Sequence, residues 1–223
     1  MRLAPVHMEH AVRITSGAET LEGRLVLPAG ATGMVVFAAG NGSSADDSQY
    51  RYVAAHLQRS GLGTLLFDEP AAEQAAEFRT RTDRLNIPFL AERLVHATRW
   101  INAERDLRGL RLGCFAAGAT SAAVLAAAGL GSRVSAVAIR GGRPDLAGAH
   151  LERITAATLF IVTSADRAVL EVSEAAYERL HCTKRLVVAP GATHRFDEGS
   201  ALGEVASLAG DWFQDHIEAA VRT

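Results

Sequence analysis

Lysine is almost missing from this chain. Of its 23 basic residues 22 are arginine, leaving Lys184 alone, while alanine reaches 42 of 223 positions. That pair of biases is what a GC-rich genome produces, so the arginines are read as codon usage rather than as a nucleic-acid footprint. An excess of either charge is missing too: 23 basic against 25 acidic residues give a net charge of −2. The signs are interspersed, which removes the counterion-release drive of non-specific nucleic-acid binding. Cysteine is limited to Cys114 and Cys182, without CxxC spacing, so no disulfide framework is expected. No apolar run approaches the roughly 20 residues of a membrane span, and Met1–His10 carries charge instead of the apolar stretch of a secretory leader. The histidines form no HxH, HxxxH or HExxH spacing, so neither a metal nor another cofactor is expected. What these absences leave is a soluble, cytoplasmic chain folded as a single domain over residues 1–223, with a core of ordinary size and a small-molecule substrate or ligand as its partner. Its oligomeric state is not written in the sequence.

What is present is a repeated change of hydrophobic period. Short β-rich runs occur at Ala11–Ile14, Gly23–Leu27, Met34–Ala38, Thr64–Phe67, Leu110–Phe115, Val134–Ile139, Thr158–Thr163 and Arg185–Ala189. Several are nearly continuous in apolar character, as strands covered on both faces are. Helical patterns lie between them, at about Ser48–Ser60, Asp83–Asn102, Thr120–Gly129, Val169–Leu180 and Gly203–Ala220. Leu90, Leu94, Ala97 and Ile101 recur at spacings of three and four and mark one buried face. Gly61, Gly109 and Gly129 stand just past helices, where a left-handed cap is expected. Strands alternating with helices predict an α/β chain: a mostly parallel eight-stranded sheet with helices on both faces, begun by an antiparallel pair.

In such a sheet ligands collect beyond the carboxyl ends of the strands, and four loops there carry candidate chemistry. The first, Ala39-Gly40-Asn41-Gly42-Ser43-Ser44, can turn backbone N–H groups toward an anion, or is a plain turn; it lacks the GK[ST] of a P-loop. The second, Phe115-Ala116-Ala117-Gly118-Ala119-Thr120-Ser121, has the small residues of a sharp strand-to-helix turn, which also serve close packing of a helix on a sheet. The third holds Asp166, placed either to orient an imidazole or to cap the helix near Val169. The fourth, Pro190-Gly191-Ala192-Thr193-His194, follows the last strand. The order turn, Asp, His is the chain order of α/β-hydrolase triads.

These residues resemble the α/β-hydrolase superfamily, in its dienelactone-hydrolase-like branch. The resemblance runs from Met34 to the last helix. It rests on Val36-Phe37-Ala38-Ala39-Gly40-Asn41-Gly42, Gly61-Leu62-Gly63-Thr64-Leu65-Leu66-Phe67-Asp68, Asn86-Ile87-Pro88-Phe89-Leu90, Arg140-Gly141-Gly142-Arg143-Pro144-Asp145 and Pro190-Gly191-Ala192-Thr193-His194. It implies an α/β-hydrolase fold with a minimal cap, and Asp166 and His194 as the acid and histidine of a triad. The nucleophile does not carry over. Relatives read F-G-A-S-T-G-A-A, and alignment from Phe115 puts Gly118 at the Ser position. A His-Gly pair of relatives is here Ala39-Gly40.

Three readings follow. In the first, His194 oriented by Asp166 performs acid/base chemistry on a small carbonyl compound (an ester, a lactone or a polyketide-like molecule) without a covalent Ser intermediate. Backbone amides of loop 39–42 (Ala39, Gly40, Asn41 and Gly42) and of Ala119, the residue after Gly118, then stabilise an oxyanion or enolate, with Gly118 lining the same substrate site. In the second the chain is a pseudo-hydrolase that binds a ligand or partner. In the third, a two-residue slip makes Thr120 the nucleophile of an ordinary ester or lactone hydrolase. Ser121 is expected in the first helical turn, bonded to backbone, and Cys114 within the strand as a small buried apolar group. Arg140 and Arg143 flank two glycines where an Arg can clamp an anion or bond loop carbonyls. Glu69–Arg84 is the candidate for a mobile cap, or is a solvated helix.

Overall fold

A computed structural model of the chain describes residues 9–16, 19–38, 48–67, 86–189 and 199–217. The eight runs are all strands: β1 (Glu9–Ser16), β2 (Glu19–Val26), β3 (Gly33–Ala38), β4 (Leu62–Phe67), β5 (Arg111–Ala117), β6 (Val134–Arg140), β7 (Ala157–Thr163) and β8 (Lys184–Ala189). They form one sheet in the order β1-β2-β4-β3-β5-β6-β7-β8. β1 and β2 pair antiparallel, β2 joins β4 antiparallel, and every later pairing is parallel. Five α-helices accompany them: α1 (Ser48–Arg59), α2 (Ile87–Ala103), α3 (Ser121–Gly129), α4 (Arg167–Glu178) and α5 (Gly199–Ile217).

Strands β3, β4 and β7 are buried along their whole length, which explains their unbroken apolar sequence: both faces are covered. One core packs α2 and α3 against Met34, Val36, Leu65, Cys114 and Phe160. The other packs α1 and α5 against Val35, Phe37, Phe115, Leu159 and Ile161. Alternate residues of each strand thus feed opposite cores. α3 carries no polar face because its residues from Ser121 to Ala128 are all buried; its alanines let it lie close to its neighbours.

Three expectations are corrected in detail. α2 starts at Ile87, not Asp83, because Asn86 supplies the cap: its side chain accepts from Phe89 N at 3.2 Å, with Pro88 in the first turn. Gly61 and Gly109 do hold left-handed backbone, at φ +83° and +100°, but the corresponding residue after α3 is Gly131, at +82°. Gly129 ends the helix itself and is needed for another reason. A Cβ there would collide with the backbone carbonyl of His150, in a stretch of 3-10 turns over Pro144–Arg153 that the hydrophobic pattern did not reveal. Finally, α5 begins at Gly199, four positions before the periodic pattern does. The candidate cap, Glu69–Arg84, lies outside the described residues.

Candidate active site

The carboxyl ends of β3 and of β5 to β8 share one side of the sheet, since these strands are parallel. At the end of β5 the chain turns within one residue. Ala117 is extended (φ −134°, ψ 143°), Gly118 takes φ +62°, and a 3-10 turn from Gly118 to Thr120 leads directly into α3. This is a strand-to-helix elbow with its left-handed residue at Gly118. Among the described residues, its chain neighbours aside, no heavy atom lies within 4 Å of where a Cβ on Gly118 would stand, so none of them closes the turn on that side.

Hydroxyl groups surround the elbow, and each is engaged. Thr120 is buried, with Oγ1 3.0 Å from the Ala38 carbonyl oxygen and 3.2 Å from that of Ala117. Ser121, fully buried, donates to the Gly141 carbonyl oxygen at 2.9 Å; its partner is backbone, as expected, but on the neighbouring strand's loop rather than its own helix. Tyr50 of α1 receives the Ala117 N–H at 3.0 Å and donates to the Ala38 carbonyl at 3.1 Å. The strand ends at Ala117, so the two-residue slip that would present Thr120 at the turn does not occur. Cys114 lies three residues inside that strand end and is buried, and burial pushes its thiol up to about 12.

Loop positions on the neighbouring strands complete the described part of the site. Gly142, at φ +91°, packs against the elbow: a Cβ there would stand 2.6 Å from the Gly118 carbonyl carbon and 3.0 Å from Ser121 Oγ. Arg140 ends β6 level with Ala117 on β5, and its Nη2 donates to Gln49 Oε1 of α1 at 2.8 Å. Its guanidinium therefore spans from β6 toward the helix after β3. Arg143 points elsewhere, in a two-pronged pair with Asp145 at 2.8 and 2.6 Å. That hydrogen bond holds the Asp145 carboxyl below, and the Arg143 guanidinium above, its ordinary range. Asp166 follows β7 and caps α4, with Oδ1 accepting from Val169 N at 3.1 Å. The structure therefore brings Gly118, Ala119, Arg140 and Asp166 to the carboxyl ends of three adjacent strands. Ala39, Gly40, Asn41 and His194 lie outside the described residues.

The fold and its elbow can be set beside known proteins. The crystal structure of dienelactone hydrolase from Anabaena variabilis matches with a TM-score of 0.89 and 45% identity, over 94% of this chain and 98% of that one. The chain belongs to the dienelactone hydrolase family. An esterase of Pyrococcus furiosus, at 16% identity and a TM-score of 0.76 over 95% of this chain and 94% of that one, shares the same α/β-hydrolase fold. Two Mycobacterium tuberculosis proteins, from strains CDC 1551 and H37Rv, are each 42% identical over 214 residues, 96% of this chain. Both bear the name "Putative phosphoribosyl transferase", and the chain spans 48% of their length, about half. No family model matches.

Against the family pattern, two features of the site escaped the sequence. Tyr50 reads there as one more member of the buried stripe Tyr50, Val53, Ala54 and Leu57, and only its hydroxyl, reaching both β3 and β5, distinguishes it. Gly142 reads as half of a glycine pair, and its contact with Gly118 is visible only in three dimensions. No helix among the described residues is long and apolar enough to cross a membrane.

Proposed function

We propose that the chain acts on a small carbonyl-containing molecule, an ester, lactone or polyketide-like compound, by acid/base chemistry of His194 oriented by Asp166, with no acyl-enzyme intermediate. One observation carries this reading: the elbow has no side chain able to attack. Gly118 has none at all, the hydroxyls of Thr120 and Ser121 are buried and bonded to carbonyl oxygens, and the Cys114 thiol is held protonated by burial. The space beside Gly118 then takes a water or a substrate hydroxyl. His194 removes its proton as the oxygen bonds to the carbonyl carbon, and returns that proton to the departing alkoxide. For an ester and water the products are an acid and an alcohol. Backbone N–H groups of Ala39 to Asn41 and of Ala119 would receive the developing oxyanion. Arg140, whose Nη2 donates to Gln49, ends the strand beside the elbow, level with Ala117.

A second reading, a ligand-binding pseudo-hydrolase, is favoured by one fact. Asp166 already has structural work as the cap of α4, so its presence does not by itself call for catalysis.

A panel of lactones and p-nitrophenyl esters separates these readings. Acid/base chemistry predicts turnover that resists a fluorophosphonate and is lost in His194→Ala. Turnover unchanged in His194→Ala overturns it, as does a fluorophosphonate adduct on Thr120 or Ser121. Saturable binding of panel members without turnover selects the pseudo-hydrolase.

A further inference from the structure

We infer that Tyr50 is a positioning residue, whose hydroxyl sets the spacing and orientation of the two backbone segments that hold the reacting carbonyl in the reading above, on which this inference rests. The sheet changes its direction of winding between β3 and β5: β4 lies on one side of β3, and β5 on the other. Crevices at such switch points are where open α/β sheets bind ligands. The β3–β5 ladder ends with Ala38 opposite Ala116. The next slanted rung of a parallel ladder would run from the Ala117 N–H to the Ala38 carbonyl. Tyr50 stands in that rung. The Ala117 N–H donates to its Oη at 3.0 Å, and Oη donates to the Ala38 oxygen at 3.1 Å. A hydroxyl group thus bridges the two strands where the sheet opens.

Thr120 closes the arrangement. Its Oγ1 lies 3.4 Å from Tyr50 Oη and within reach of both carbonyls, so two hydroxyl protons serve Ala38 and Ala117. Tyr50 is 4% exposed and Thr120 2%, so neither bond is in contact with bulk water, and removing one hydroxyl takes a partner from a buried carbonyl or N–H. Because a peptide is planar, fixing the Ala117 carbonyl also fixes the plane of the Ala117–Gly118 peptide that opens the elbow. The ring is held independently of its hydroxyl. It meets Phe37 and Phe115 edge-on, with centroids 5.9 and 6.0 Å away. Tyr50→Phe therefore deletes one oxygen and leaves the aromatic packing in place.

The test is residue-resolved amide exchange, alongside turnover, in Tyr50→Phe, Thr120→Val and Thr120→Ser. In Tyr50→Phe and Thr120→Val the amides of Ala117, Gly118, Ala119 and Ser121 should exchange about fivefold to tenfold faster. Those of β6 and β7 should keep their rates, and Thr120→Ser should restore the wild-type pattern. A change confined to Ala117, or spread evenly through the sheet, overturns the inference. On an ester or lactone that the wild type turns over, Tyr50→Phe should lower kcat by about tenfold or more at constant KM; an unchanged kcat also overturns it. Failure of the wild type to turn over any substrate defeats the acid/base reading, while the exchange pattern still decides the role of Tyr50.

Discussion

Gly142 presses on Gly118 so closely that the Cβ of any other residue at position 142 would stand 2.6 Å from the Gly118 carbonyl carbon. The loop after β6 thereby braces the elbow after β5, assisted by the bond from Ser121 Oγ to the Gly141 carbonyl. Gly142→Ala should then suffer twice, from left-handed backbone at φ +91° and from the collision, for a loss of about 3 kcal/mol or more. Gly61→Ala, with left-handed backbone and, among the described residues beyond its chain neighbours, no atom within 4 Å, should lose only about 1 kcal/mol. Urea denaturation of both variants checks this; equal losses would remove the brace from the account.

Gly118 differs from Gly142 in having room. Gly118→Ser meets the strain of φ +62° but no neighbour within 4 Å among the described residues. It should cost about 1 to 2 kcal/mol and place a hydroxyl at the elbow. Cleavage of p-nitrophenyl acetate, together with fluorophosphonate labelling of the new serine, is the expected gain. A stable variant with neither would mean that the elbow does not face His194.

Asp166 allows its two roles to be separated. Asparagine caps helices as well as aspartate does, so Asp166→Asn should unfold with the wild type, whereas Asp166→Ala should lose about 1 kcal/mol. If Asp166 orients His194 as proposed, turnover should fall in both, because the carboxylate charge is gone from both. Loss of turnover in Asp166→Ala alone would make the residue a helix cap and nothing more.

Burial of Cys114 predicts a pH dependence of stability. Its folded value of about 12 exceeds the ordinary 9.0, so the unfolded chain releases the thiol proton first as pH rises. Below pH 9 the group contributes nothing, and between 9 and 12 the folded state loses stability at about 1.4 kcal/mol per pH unit. Cys114→Ala should flatten this slope. A thiol reagent at pH 8 should modify half-buried Cys182 in the native protein and reach Cys114 only after unfolding.

Why some of this was legible and some was not follows from the range of the interactions. Strands such as β3 and β7 have every residue buried, so each residue carries the signal and the eight runs emerge. The elbow after Phe115 is local and shows as small residues. Contacts between distant segments leave no such trace: the need for glycine at 129 comes from His150, and at 142 from Gly118. Tyr50 is similar, since its partners Ala38 and Ala117 are joined through the sheet, not along the chain. Asp166 was ambiguous between cap and triad, and its bond to Val169 N establishes the first role without removing the second.

The central claim is chemistry at an elbow without a side-chain nucleophile. Intact mass spectrometry of the protein, quenched in acid during steady-state turnover of an ester or lactone, tests it most directly. The account predicts the unmodified mass throughout turnover; an acyl adduct that maps to Thr120, Ser121 or Cys114 would contradict it.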